Sequence, residues 1–304
     1  MTEATRSPAR APRCWLVGPA NLFATAVARL PQRALLATAG VVHALAGPLL
    51  RSRRRIAQRN IALCFRDLDP PAQAALVDAS LRNAVIGLLE LLRGWFGRDA
   101  DLRALVTVEG LEHLRAARAG GRGALLVTGH LNHTELGARM LALALREPVT
   151  IVARRNNRSC MERFLHAARM RVFANVVDKK DARGLMRALV GGETVVWAGD
   201  QDFNYRSQFV PFFGVPAATI SVMSHLGRRA DAAVVPYAMQ RESDGRYRLR
   251  IEPAWEPLPE AQDAVRYMAW LEGVVRRHPA QYLWIHRRFK TRPPGEPDLY
   301  ARDA

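Results

Sequence analysis

Lysine is almost missing from this 304-residue chain: only Lys179, Lys180 and Lys290 are lysines among 45 basic residues. Cysteine is equally sparse. Cys14, Cys64 and Cys160 are widely separated, form no C-x-x-C and leave an odd thiol, so neither a disulfide framework nor a cysteine-based zinc site is supported, and a reducing compartment is expected. The signatures of several chemistries are also absent. Without a G-x-S-x-G elbow a hydrolase nucleophile has no signpost, and without a Walker loop or a dinucleotide fingerprint nucleotide chemistry has no cradle. There is no H-E-x-x-H helix, so no metal set is expected; His130, His133 and Glu135 lack the required spacing. Nor are there internal repeats or low-complexity linkers.

What is present is an excess of arginine. The 45 basic residues face 28 acids, a net charge of +17, which calls for an anionic partner such as nucleic acid, a membrane surface, a phosphorylated lipid or an acidic protein. Hydrophobic residues at 49% are those of a folded protein large enough to bury a core. Residues 1–60 hold ten Arg and a single acid, Glu3, around two apolar runs. The first, Trp15 to Ala28, follows three arginines and ends on Ala-Val-Ala, so a secretory signal competes as a reading. The second, Ala34 to Leu50, is seventeen residues without formal charge; as a helix it would span roughly 25 Å, near the ~30 Å of a hydrocarbon core. Arg51, Arg53, Arg54 and Arg55 follow, a flank that the positive-inside rule keeps cytoplasmic. The expectation is an N-terminal membrane-anchor region over 1–55, spanning or lying in the interface, with a catalytic domain over 56–304. A buried soluble helix is the competing reading.

Beyond residue 56 helical and strand-like segments alternate. Pro70 opens a helical stretch ending near Trp95-Phe96-Gly97; Arg122 to Thr128 reads as a buried strand, Thr134 to Leu145 as a helix and Val149 to Ala153 as a strand. The alternation continues through a helix from Ser159 to Val172, a strand near Val176, a helix from Ala182 to Val190 and a strand from Thr194 to Trp197. Strands at 233–239 and 247–251 and a helix at 260–276 complete it. This predicts an α/β fold with a mostly parallel central sheet flanked by helices. Ligands of such sheets gather at the carboxyl ends of the strands, where three polar clusters fall.

The first cluster contains His130 and Glu135. As a bare pattern His-x4-acid is weak, since chance supplies roughly 0.7 occurrences in this composition. Its position after a buried strand makes it a candidate acid–base dyad: a carboxylate orients the imidazole, which takes a proton from a substrate hydroxyl. The second cluster, Arg154-Arg155-Asn156-Asn157-Arg158, suits a phosphate or a developing oxyanion, or is a solvated basic turn. In the third, Asp200, Asp202 and Arg206, the acids could hold a cation or, preferably, tether the second cluster's arginines. The tail from Arg276 to Arg292 carries six bases, among them Arg287 and Lys290, and no acid. With Tyr282, Trp284 and Phe289 interleaved it fits nucleic acid or a surface facing lipid headgroups.

Taken in order, these blocks resemble the late lipid A acyltransferases (lauroyl/myristoyl transferases) of the His-x4-Asp/Glu glycerolipid acyltransferase superfamily. The resemblance runs from Arg59-Asn60-Ile61-Ala62-Leu63-Cys64-Phe65 through Gly129-His130, Glu135-Leu136-Gly137, Arg154 with Asn156-Asn157, Asp200-Gln201-Asp202 and Phe209-Val210-Pro211-Phe212-Phe213. It closes on Gln281-Tyr282-Leu283-Trp284-Ile285-His286-Arg287-Arg288-Phe289-Lys290. It implies an N-terminal membrane helix at the inner (cytoplasmic) membrane, with the catalytic domain facing the cytoplasm and no cofactor. The implied reaction moves a fatty acyl group from acyl carrier protein to a 3-hydroxyacyl chain on a phosphorylated glucosamine disaccharide. His130 becomes the general base and Glu135 its orienting acid. Arg154, Asn156, Asp200, Asp202, Arg206, Arg287 and Lys290 become substrate-binding candidates, and anionic lipid rather than nucleic acid becomes the partner of the excess charge. Two positions depart from the pattern: Arg155 stands where Pro is frequent, and Tyr205 where Gly is.

Overall fold

Burial in this protein alternates along its strands and repeats every third or fourth residue along its helices, and that pattern sets the layers. The computed structural model describes residues 17–47, 49–154, 160–203 and 207–301. The amino-terminal part is helical: α1 (Val17–Ala28), α2 (Gln32–Leu45), α3 (Arg51–Cys64), α4 (Pro70–Phe96) and α5 (Asp99–Leu105). Then come β1 (Val106–Glu109), α6 (Leu111–Ala117), β2 (Ala124–Thr128), α7 (Thr134–Leu145), β3 (Thr150–Ala153), α8 (Cys160–Arg169), β4 (Asn175–Asp178), α9 (Ala182–Val190) and β5 (Thr194–Ala198). The chain continues through β6 (Ser207–Phe212), β7 (Val215–Ile220), α10 (Met223–Ala230), β8 (Ala233–Arg241), β9 (Tyr247–Ile251) and α11 (Glu260–Arg277).

Seven strands form the main sheet in the order β1-β9-β8-β2-β5-β3-β4, and β6 and β7 form a separate hairpin. Neighbours are parallel except β8 and β9, which run antiparallel. Along β2, Leu125 and Val127 face one core and Ala124 and Leu126 the other, the two-residue period of a strand buried on both faces. One core is closed by α9, α10 and α11, the other by α7 and α8. The expected mostly parallel sheet flanked by helices is what forms.

The longest helix, α4, starts where Asp69 accepts from the Ala72 N–H at 2.8 Å and Pro70 occupies the first turn, where a missing N–H costs nothing. Its Glu90 is wholly buried and receives the Tyr247 hydroxyl at 2.6 Å and a guanidinium N–H of Arg241, tying α4 to β8 and β9. The β6–β7 turn places Phe213 at φ 52° and Gly214 at φ 75°, the two left-handed residues of a tight hairpin. The usual turn pair is Asn-Gly; Phe-Gly hid this hairpin from the pattern reading.

A membrane-spanning form of the expected N-terminal anchor is not supported: among the described residues no helix is long and apolar enough to cross a membrane. The seventeen-residue run is interrupted. α2 ends at Leu45 and α3 begins at Arg51, so α2, which also takes in Gln32 and Arg33, is 14 residues, about 21 Å. Its apolar residues also have a protein partner, since Leu35 and Ala39 pack against Val85 and Ile86 of α4. α1 is 12 residues long and buries Ala24 and Ala28 in the core beside Trp95 and Phe96.

Candidate active site

Parallel pairing of β2 with β5 sets the centre of the site. The register matches Ala124 with Thr194 and Thr128 with Ala198, an offset of 70 residues that carries forward past both strand ends to set His130 beside Asp200. The side chains meet: His130 Nδ1 lies 2.6 Å from Asp200 Oδ1, and the His130 backbone N–H donates to both carboxylate oxygens at 3.0 Å. An acceptor carboxylate at Nδ1 places the ring proton there and leaves Nε2 with its lone pair. Asp200 is 1% exposed and His130 30%, so the acid is sealed while the imidazole reaches solvent. Burial alone would push the Asp200 carboxyl up. The His130 charge, its two N–H groups and the Tyr282 hydroxyl at 2.8 Å override it and hold the group down at about 2.

The floor is built by the carboxyl-terminal tail. Leu283 N–H donates to the His130 carbonyl at 3.0 Å and Leu131 pairs with Tyr282 as an isolated bridge. Tyr282 and Trp284 stack into an aromatic cluster with Phe65, Phe212 and Phe213. Tyr267 of α11 donates to the Thr128 carbonyl at 2.6 Å and accepts from the Gly199 N–H at 3.1 Å, bridging the ends of β2 and β5. Asp202 receives both the N–H and the hydroxyl of Thr291, at 3.0 and 2.8 Å, and its own N–H donates to His286 Nε2 at 3.3 Å. Burial first, and then the neighbouring His130 charge, lower His286 to about 4.

Glu135 sits elsewhere. It lies in the first turn of α7, where Arg169 of α8 holds it from two nitrogens at 3.1 and 2.6 Å and Trp95 Nε1 donates at 3.0 Å. Its carboxylate makes no hydrogen bond to His130. The expected His130–Glu135 pairing is thus replaced in this structure by His130–Asp200, because strand order outranks nearness in sequence. His133 turns into the core, where Nε2 donates to the Met239 carbonyl at 2.7 Å.

Of the other expected site residues, Arg154 is exposed at the carboxyl end of β3, on the same sheet edge as His130 and Asp200. Asn156 and Arg206 lie outside the described residues, as do Arg155 and Tyr205. Asp200 and Asp202 serve His130 and the tail, not Arg154. Arg287 and Lys290 are exposed. Much of the tail's charge is structural: Arg288 is buried and donates to the Ala218 carbonyl at 2.7 Å, Arg292 to the Pro216 carbonyl at 2.6 Å, and Arg276 to Glu272 at 2.7 Å. Tyr267, Tyr282, His286, Trp95 and Arg169 were not singled out as site residues. A buried tyrosine hydroxyl or a paired arginine carries no local pattern that separates it from core or surface.

Comparison with known proteins agrees with the resemblance. Residues 4–291 match the family model described as bacterial lipid A biosynthesis acyltransferase. The chain is 36% identical over 277 residues to a lipid A biosynthesis palmitoleoyltransferase of Escherichia coli (strain K12), covering 90% of each chain. It is 35% identical over 296 residues to a lipid A biosynthesis lauroyltransferase of the same organism, covering 95% of this chain and 96% of the relative. A lipid A biosynthesis acyltransferase of Haemophilus influenzae is 32% identical over 257 residues, 82% of this chain and 81% of that one.

Proposed function

The chain belongs to the bacterial lipid A biosynthesis acyltransferases, and from that membership we propose that it moves a fatty acyl group from acyl carrier protein to a hydroxyl of a 3-hydroxyacyl chain on a phosphorylated lipid A precursor, with His130 as general base. The observation that carries the reading is the His130–Asp200 pair at the carboxyl edge of the sheet, Nδ1 to Oδ1 at 2.6 Å, with Nε2 left for substrate. His130 Nε2 takes the proton of the acceptor hydroxyl as its oxygen attacks the thioester carbonyl. Asp200, held ionised, stabilises the imidazolium. The tetrahedral oxyanion collapses with cleavage of the carbon–sulfur bond, and His130 returns the proton to the departing thiolate. Arg154, on the same edge, supplies a guanidinium toward the oxyanion or the acceptor. Glu135, fixed by Arg169 and Trp95, holds the start of α7 behind the histidine rather than the histidine itself.

Residues 1–55 serve as the membrane-facing region of the catalytic body at 56–304. Leu45 is 77% and Leu49 86% exposed, and Leu22, Phe23, Val41 and Leu88 are exposed with them, beside the basic start of α3. Short helices with an apolar outer face and arginines alongside lie in an interface instead of crossing it. The inner membrane, approached from the cytoplasm, presents that interface to a cytosolic acyl donor.

The test is transfer by the purified chain from acylated carrier protein to a lipid A precursor, read by mass spectrometry, with acyl-CoA as competing donor. A mass increase of one acyl chain, abolished in His130→Ala, is the expected result. No product, or near-normal turnover by the folded variant, would sink the assignment.

A further inference from the structure

A cleft of about 270 Å³ opens between α3 and the carboxyl-terminal tail, lined by Ser52, Arg55, Ile56, Arg59, Arg287 and Tyr300. Among the described residues its arginines, Arg55, Arg59 and Arg287, have no carboxylate partner, whereas the flanking Arg54 is paired with Asp78 at 2.9 Å. Three like charges around one small space repel each other, and an anion placed between them adds an attraction to each that offsets the repulsion. Guanidinium forks suit the oxygens of a phosphate, and the Ser52 hydroxyl and the Ile56 side chain add a further donor and an apolar wall.

The cleft is held in shape from beneath. Asn60, 0% exposed, donates to the Trp284 and His286 carbonyls at 2.6 and 2.8 Å and accepts the Tyr300 hydroxyl at 2.5 Å. Tyr300 oxygen in turn accepts the Phe289 N–H at 3.0 Å, and Arg59 Nε donates to the Leu299 carbonyl at 2.7 Å. This knot fixes Arg287, whose guanidinium lies 5.7 Å over the Tyr300 ring, against the Arg55 and Arg59 face of α3, four residues and one turn apart. The same tail segment leads to the catalytic centre. Leu283 is bonded to His130 and His286 to Asp202, so Arg287 is four residues from the histidine contact, at most about 14 Å of chain.

We propose that this cleft is the subsite for a phosphate monoester carried on the headgroup of the glycolipid acceptor, placing the acceptor hydroxyl at His130. The inference rests on the acyl-transfer reading above and adds the place at which the acceptor's charge is recognised.

The experiment uses the full chain in detergent micelles, with Arg55→Gln and Arg287→Gln as variants; Arg59 is left intact because it also bonds Leu299. Glucosamine 1-phosphate and unphosphorylated glucosamine are titrated calorimetrically, and acyl transfer is measured on a lipid A precursor before and after phosphatase treatment. The sugar phosphate is expected to bind and the free sugar not. Each variant should weaken the sugar phosphate by about 10- to 100-fold, the worth of a charge-assisted contact. The KM for the phosphorylated acceptor should rise by a similar factor with much less change in kcat, and the preference over the dephosphorylated acceptor should shrink toward one. Equal KM increases on both acceptors, no sugar-phosphate binding, or equal competition by phosphatidylglycerol vesicles would overturn the proposal. Sugar-phosphate binding that the variants lose, in a wild-type chain that acylates no lipid A precursor, would reject the acyl-transfer reading while supporting the phosphate site.

Discussion

At the scale of single residues, His130 bonds Asp200 while Glu135 bonds Arg169, and the proposal that Asp200 is the acid serving the histidine is measurable. Asp200→Asn keeps the shape but removes the charge facing the imidazolium and permits the wrong tautomer, so kcat/KM is expected to fall by at least about 10²-fold with the fold intact by circular dichroism. Glu135→Gln breaks the Arg169 pair and is expected to lower unfolding free energy by about 1–3 kcal/mol in a urea titration, with a smaller kinetic loss than Asp200→Asn. The reverse ranking would restore Glu135 as the orienting acid. His286 is expected to contribute to the pH dependence of stability, as is the buried His133, which burial also lowers. The folded His286 value of about 4 lies below the ordinary 6.5, so between those values the unfolded chain binds the extra proton and stability falls as the pH drops. His286→Gln should flatten the stability profile between pH 6.5 and 4; an unchanged slope would rule His286 out as its source. Asp200 adds to the acid limit with its own sign. Depressed to about 2 from 3.8, it stabilises the fold above pH 3.8 and that contribution is lost as the pH falls through 2.

At the scale of elements, one close approach holds the turn that carries His130. A Cβ on Gly87 of α4 would lie 2.5 Å from the Asn132 carbonyl oxygen, so the helix rests directly on the loop that carries His130. Gly87→Ala is expected to destabilise by about 1–3 kcal/mol and to depress activity beyond what that loss explains, because the backbone of the turn must move. Thermal melts and kcat on the same preparation check this; a change in melting alone would confine Gly87 to packing. Local periodicity announced these elements well. Pro70–Phe96, Thr134–Leu145 and Ala182–Val190 stand at the bounds their patterns implied, because capping and apolar spacing are written in consecutive residues. It failed for α2, where a continuous apolar run suggested a span. The run is divided by a turn, and its buried residues pack on α4 instead of lipid, a partner that hydropathy does not see.

At the scale of the whole molecule, the +17 charge is divided between structural bonds, a basic flank near an apolar outer face, and the cleft at Arg287. The chain is expected to float with phosphatidylglycerol vesicles. Substituting Phe23, Leu45 and Leu49 together by Ser should weaken this by at least about tenfold with the melting temperature unchanged, since all three side chains are exposed. Raising salt from 0.1 to 1 M shortens the screening length from about 10 to 3 Å and should weaken binding further without replacing the apolar contribution. Flotation insensitive to the substitutions would remove that face from the membrane. The sequence by itself determined the α/β class, most of the elements between residues 122 and 276, the placement of His130 at a strand end and the family, because each is carried by local pattern or by blocks in order along the chain. Only the tertiary structure decided which carboxylate is bonded to that histidine, where Glu135 goes, and that Arg55 and Arg287 share a cleft. Strand order and the docking of the tail are choices among distant partners, settled by the packing of the whole core, and no window of consecutive residues contains them.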